Sequence, residues 1–201
     1  KGIKYSMGDV VMMLNSGDIL LDRSYPEQAL KILSENLDLD FVHADELYDD
    51  LLIGEFVMKP LRIKGHLTPN IGRGMPYRHQ TMAVRKIIYD KVGSFDLKYV
   101  TSDYDWTCRW ELSLRDTGRS AYYFHGKPVI KMDGRGVSAT QEWKVMREAV
   151  SIIRTHFPKN IEIQFSLFKR FILFVGRECL KWFQMGNILS HLKRQKYQNN
   201  V

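Results

Sequence analysis

Short apolar runs alternate with stretches of helical spacing along this chain. Residues 9–14, DVVMML, form an apolar run that reads as a short buried strand. It stops at Asn15-Ser16-Gly17-Asp18, four residue types that turns prefer. Ser24-Tyr25-Pro26-Glu27 reads as a helix start. Ser24 can cap, Pro26 suits the first turn and Glu27 completes a capping box, with the helix continuing over 27–36. Residues 40–44, DFVHA, predict the next strand, ending at Asp45. Residues 51–59 have strand character, and 62–76, rich in Gly and Pro, read as a loop. A strand over 80–85 precedes a short helix over 85–93, with Gly93 as its stop. The next helix is capped by Asp103 or a neighbour, with Trp106, Trp110 and Leu114 on one face at i, i+4 and i+8. SAYYFHG and KPVIKMDG predict two strands meeting at His125-Gly126, and 140–156 predicts another helix. Strands interleaved with helices indicate an α/β fold with a mainly parallel or mixed sheet.

Composition narrows the class. The chain has 201 residues, of which 44% are hydrophobic and 12% aromatic, so it can bury a full core and is not a disordered composition. Its two cysteines, Cys108 and Cys179, form no CxxC pair or disulfide framework, which fits a reducing, cytoplasmic compartment. The net charge of +7 sits almost entirely on the tail. From Phe165 onward seven basic residues face Glu178 alone. A nucleic-acid-binding domain carries its charge on the fold itself, so this distribution argues against that class.

The tail, residues 161–201, is set apart from the body, residues 1–160. Phe168, Phe171, Ile172, Val175, Cys179, Trp182 and Phe183 follow helical spacing, interrupted by Lys169, Arg170, Arg177 and Lys181. Its longest apolar run, FILFV, is far short of the about 20 residues that a membrane span needs. A basic amphipathic helix with Trp and Phe predicts a peripheral helix lying in the headgroup plane of an anionic membrane surface. Packing on its own domain, or on a sister subunit in a homo-oligomer, is the alternative.

Three acids fall where an open α/β sheet places its ligand, beyond the carboxyl ends of strands: Asp18, Asp45 and Asp103, the last at a helix head. A carboxylate at a strand end can hold Mg²⁺ or Mn²⁺, hard cations that also bridge to phosphate. One at a helix start can take a proton from an attacking hydroxyl. Each also has a plain structural role open to it, Asp18 as a turn former and Asp103 as an N-cap.

The segment KGIKYSMGDVVMMLNSGD closely resembles the part of family 2 glycosyltransferases that leads into their Asp-X-Asp-type motif, most of all in bacterial polysaccharide-building members. The similarity continues through DFVHAD, PYRHQTMAVRKIIYDKVGSFDLKYVTSDYDW and KPVIKMDGRGVS, in the family order and over roughly residues 1–140. It implies a GT-A fold, a Rossmann-like mixed sheet flanked by helices, to which the tail adds a C-terminal amphipathic helical extension. It implies transfer of a sugar, with inversion, from a nucleotide-sugar donor to a sugar or lipid-linked acceptor.

On that resemblance Asn15, Ser16 and Asp18 match the Asp-X-Asp region, and Asp18 holds the Mn²⁺ or Mg²⁺ and the diphosphate. Asn15 replaces the family's commoner acid, and Gly17 falls where many members have a second. Asp103 matches the catalytic base, with Ser102 in place of a preceding glutamate, and Asp105 supports the helix start. His79 and Gln80 match the pair lining the donor-sugar and acceptor side; a buried core histidine is the other reading of His79. Arg135, in Gly134-Arg135-Gly136-Val137-Ser138, matches a loop near the site and could meet a diphosphate with both arms of its guanidinium; an ordinary surface turn is its alternative. The family's upstream nucleotide-binding strands have no counterpart here, so the chain reads as the later part of a catalytic domain. A non-catalytic, membrane-associated scaffolding partner that keeps the fold is the competing expectation.

Overall fold

The computed structural model describes residues 2–61, 70–117 and 119–197, without the side chains of 114–117 and 138. Residues 62–69 of the loop expected over 62–76 and the Leu114 side chain lie outside the described residues, and the rest of that stretch is not all loop, since Asn70–Arg73 form a short helix. In chain order the elements are α1 (Gly2–Tyr5), β1 (Val10–Met12), β2 (Ile19–Leu20), α2 (Tyr25–Glu35), β3 (Leu39–Ala44), β4 (Glu46–Asp50), β5 (Gly54–Met58) and α3 (Asn70–Arg73). A 3-10 turn (His79–Thr81) then precedes β6 (Ala83–Arg85), α4 (Lys86–Val92), α5 (Ser102–Thr117), β7 (Ser120–Phe124) and β8 (Ile130–Asp133). The chain closes with α6 (Val137–Thr140), α7 (Glu142–His156), α8 (Ile161–Trp182) and α9 (Gly186–Tyr197).

The strands form two four-stranded sheets, ordered β1-β6-β3-β7 and β2-β8-β4-β5. Both are mixed. β3 pairs antiparallel with β6 and parallel with β7, while β4 pairs antiparallel with β5 and parallel with β8. This is an α/β architecture with mixed sheets flanked by helices. The two strands expected to meet at His125-Gly126 do not pair: β7 lies in the first sheet and β8 in the second.

β3 is buried at every position because both faces of its sheet are covered. On one face Val42 and Ala44 meet Tyr25, Ala29 and Leu33 of α2. On the other, Phe41 packs with Tyr77, Trp106 and Trp110, its ring 4.5 Å from that of Trp110 in an edge-to-face contact. The i, i+4 tryptophans of α5 therefore do face the sheet. Tyr104 and Cys108 point the other way, into an all-helical core with Ile71, Ala149, Ile152, Ile153, Ile163 and Leu167.

The capping box at Ser24 is not formed. Ser24 is already in the helical region and makes no side-chain cap. Asp22 takes that role two residues earlier, accepting from the Ser24 backbone N–H at 2.9 Å and from its hydroxyl at 2.5 Å. The strand expected over 80–85 is shortened to β6, because His79–Thr81 turns instead.

The tail is helical, as its spacing predicts, and one side of it belongs to the body's packing. Asn160 caps α8, its side chain accepting from the Ile163 N–H at 3.0 Å. Ile163, Leu167 and Phe174 are buried in the helical core. Among the described residues no helix is long and apolar enough to cross a membrane.

Candidate functional site

Strands β1, β3 and β7 run in the same direction, since β1 and β3 are both antiparallel to β6 and β7 is parallel to β3. At their carboxyl ends the chain leaves the first sheet for the second three times: between β1 and β2, at Asp45 between β3 and β4, and between β7 and β8. The backbone stitches this seam. Val129 N–H donates to the Asp45 carbonyl at 3.2 Å, and Leu21 N–H to the Val129 carbonyl at 2.9 Å.

The Asn15-Ser16-Gly17-Asp18 segment is the first crossing. It is a turn closed by Asp18 N–H donating to the Asn15 carbonyl at 3.1 Å. Gly17 has φ +96°, a conformation that costs other residues strain. A Cβ there would also meet the Asp133 carboxylate at 3.5 Å. Asn15 and Ser16 are exposed. Asp18 is turned inward. Its Oδ1 accepts from the Asp133 N–H at 3.2 Å, while Oδ2 is buried with no hydrogen-bond partner among the described residues. The bond from Asp133 accounts for the first oxygen and leaves the second without a role.

Beside it lies a buried pair that the sequence did not single out. Glu46, the first residue of β4, is 2% exposed and lies 3.6 Å from Arg78. Its Oε2 and the Arg78 Nε are buried and unpartnered among the described residues. Arg78 is held by the Met75 carbonyl at 2.9 Å and by the Met58 sulfur. Burial pushes the Glu46 carboxyl up to about 7; Arg78 opposes the shift and the Asp18 charge adds to it. Glu46 carried no recognisable signal, because a lone acid opening a polar strand looks like a surface residue.

A pH dependence follows. Folded Glu46 keeps its proton to about pH 7, whereas the unfolded chain releases it near 4.5. Between these values the folded state binds more protons, so stability falls as pH rises through the window and levels off above it. Glu46→Gln has no proton to lose. Its stability relative to wild type should rise between pH 5 and pH 8 by on the order of 2 kcal/mol. Urea unfolding of both proteins in EDTA at the two pH values measures this, and a constant difference would refute the assignment.

His79 and Gln80 sit on the 3-10 turn after Arg78. The turn is fixed by Thr81, whose backbone N–H and hydroxyl both donate to the Arg78 carbonyl, at 3.0 and 2.7 Å. Ala44 N–H in turn donates to the Thr81 hydroxyl at 2.9 Å, which ties the turn to the carboxyl end of β3. Gln80 is buried. The His79 ring packs edge-on against Phe95, and its Nε2 is buried without a partner among the described residues.

Arg135 lies at the same seam, but its fork is engaged. Nε and Nη2 donate to the two carboxylate oxygens of Asp133, at 2.8 and 3.0 Å. The diphosphate contact expected of Arg135 therefore requires this internal pair to open. Gly134 N–H donates to the Asp49 carbonyl at 3.0 Å, pinning the start of that loop to β4. Asp45 is satisfied by the Tyr123 hydroxyl at 2.6 Å and is a structural acid in this arrangement.

Asp103 stands in the first turn of α5. Trp110 Nε1 donates to Asp40, at the start of β3, at 2.7 Å, and α5 leads directly into the start of β7. The helix therefore runs opposite to β3 and β7, and its first turn points toward their carboxyl ends. Asp103 is half-buried there, its Oδ1 accepting from the Tyr104 N–H at 2.9 Å. Among the described residues no hydrogen bond or ion pair joins Asp103 to Asp18, Glu46 or Arg78. The Met75 segment lies between them, its sulfur 3.4 Å from the Thr107 hydroxyl and its carbonyl on Arg78. Asp105 supports the helix instead, bonded to Arg109 at 3.0 Å and His156 at 2.9 Å. Glu148 of α7 fixes the approach, accepting from the Thr101 N–H and hydroxyl at 3.0 and 2.9 Å. A cleft of about 330 Å³ opens beside Asp105. Its charges pair with one another, Lys98 with Asp96 and Arg109 with Asp105.

No group of three His, Cys, Asp or Glu side chains among the described residues could by itself hold a metal ion. Magnesium-type sites in phosphate chemistry commonly use one or two carboxylates, with the remaining ligands from phosphate and water. The free Oδ2 of Asp18 fits that smaller role. No family model matches the chain, and no curated protein is significantly similar to it.

Proposed function

We propose that this chain carries the diphosphate and acceptor side of an inverting glycosyltransferase that uses a nucleotide-sugar donor, in bacterial surface polysaccharide or glycolipid assembly. The observation that carries this reading is the buried, unpartnered Oδ2 of Asp18 at the strand-end seam. The motif order of the sequence supports it independently, as a resemblance to GT-A family 2 enzymes.

Asp103 accepts the proton of the acceptor hydroxyl as that oxygen attacks the anomeric carbon. The bond from that carbon to the diphosphate breaks on the opposite face, so configuration inverts. A Mn²⁺ or Mg²⁺ bound at Asp18 would offset the negative charge on the departing nucleoside diphosphate. His79 and Gln80 line the sugar side, where the unpartnered Nε2 of His79 is available to a hydroxyl. Asn15 and Ser16 expose their polar atoms on the same turn as Asp18.

A second reading is a non-catalytic partner that retains the fold. The Arg135–Asp133 pair favours it, since a guanidinium held in this way is not free for a donor. Release of nucleoside diphosphate from a panel of UDP-, GDP- and dTDP-sugars, with simple glycosides and lipid-linked sugars as acceptors, separates the two. Acceptor-dependent release is the expected result. Donor binding without release under every acceptor would support the second reading.

A further inference from the structure

The outer side of α8 carries an apolar stripe that nothing among the described residues covers. Ile161, Phe165, Phe168, Ile172 and Phe183 are all exposed, between 52% and 82%. Their spacing, continued by Gly176 and Cys179, is that of one helix face. The stripe runs the length of a 22-residue helix, about 33 Å. Trp182, 79% exposed, lies at its end. Met185, Ile188 and Leu192, at and within α9, are exposed apolar side chains as well. The opposite side of α8 is the one buried in the helical core, so the stripe is not a mis-set core face.

The charges on this surface select the occupant. Over residues 161–197 seven basic side chains face two acids, Glu162 and Glu178. Several of these cations are spent inside the molecule: Arg177 and Lys181 pair with Glu142 and Glu178, and Lys193 pairs with Asp50. Lys169 and Arg194 remain exposed and make no ion pair to an acid among the described residues. Lys169 stands on the stripe itself, its Nζ 4.4 Å from the centre of the Phe165 ring. A second copy of the chain would bring like charge against like along such a face. A flat anionic surface would meet both the cations and the aromatic rings.

We propose that this free face of α8, continued by α9, docks on an anionic lipid surface, lying in the headgroup plane rather than crossing it. Phe165, Phe168 and Ile172 enter the acyl boundary, Trp182 sits at the interface, and Lys169 and Arg194 meet lipid phosphates. The inference is independent of glycosyl transfer and stands whether or not the chain is catalytic. Because three of the seven tail cations are paired internally, apolar burial carries more of the binding than the tail's formal charge implies.

Flotation with vesicles of equimolar phosphatidylcholine and phosphatidylglycerol, against vesicles of phosphatidylcholine alone, tests this. Wild type should bind the anionic vesicles and bind the neutral ones about tenfold more weakly. Raising salt from about 0.1 M to about 0.5 M should weaken the anionic binding without abolishing it. Phe168→Asp should lower binding at least about tenfold with an unchanged melting temperature, since the ring is exposed. Lys169→Glu should lower it about tenfold at low salt only, and gives the same reading should Phe168→Asp fail to fold. Failure of wild type to bind anionic vesicles, or binding by both variants as strong as that of wild type, overturns the proposal. A wild-type dimer that Phe168→Asp converts to monomer, with no vesicle binding, would assign the face to a second copy instead.

Discussion

Replacing Asp103 with asparagine should lower sugar transfer by about 10²- to 10⁴-fold, the range contributed by a positioned general base, and should leave donor binding nearly unchanged. The substitution keeps the side chain's size and its hydrogen-bond acceptor for the Tyr104 N–H, so the helix start is preserved. Only the proton-accepting oxygen is lost. KM for the donor should therefore hold while kcat falls, the signature of an interaction made in the transition state. Unchanged turnover in the variant would reduce Asp103 to a residue of the first helical turn.

The largest expected effect on stability is at Gly72. This residue lets α3 and α8 touch backbone to backbone. A Cβ at Gly72 would lie 2.4 Å from the Ile163 carbonyl oxygen and 3.0 Å from the Leu167 nitrogen. Neither atom can move without displacing α8. Gly72→Val should cost about 3 kcal/mol, the upper part of the range for overpacking. At roughly 2–4 °C per kcal/mol for a domain of this size, the melting temperature should drop by about 10 °C. Amide exchange should show the loss concentrated in α3 and the first half of α8. An unchanged melting temperature would mean that α8 is not seated on the body as described.

What was readable in the sequence was whatever local pattern decides. The turn at Asn15–Asp18 and the strand before it follow from an apolar run ended by turn formers. The stop of α4 at Gly93 is equally local, with φ +87° at that residue. The two-sheet arrangement was not readable, because the chain passes from β3 to β4 at Asp45 with no Gly or Pro to mark the change. β4, Glu46–Asp50, was invisible for a related reason. ELYDD shows no apolar alternation, and the strand exists because β5 and β8 pair with it on both sides.

In the site, Asp18 and Asp103 could be read from their places at element ends. Glu46 and Arg78 could not, since their proximity depends on the seam between sheets. The engagement of Arg135 is likewise invisible in a sequence that shows only a basic residue between glycines. The tail shows the limit of periodicity most clearly. Both sides of α8 are apolar, so spacing predicts the helix and cannot say which side goes in. Ile163, Leu167 and Phe174 are buried, while Phe168 and Ile172, on the expected stripe, remain outside.

The central claim is that the free oxygen of Asp18 serves a cation that meets a diphosphate. Calorimetric titration of wild type and Asp18→Ala with UDP, GDP and dTDP, each with and without Mn²⁺, addresses it directly. Wild type should bind at least one nucleoside diphosphate about tenfold or more tightly with Mn²⁺, because the cation offsets repulsion between the phosphates and the Asp18 carboxylate. Asp18→Ala should show no such tightening. Equal Mn²⁺ dependence in the two proteins, or none in wild type, would contradict the account.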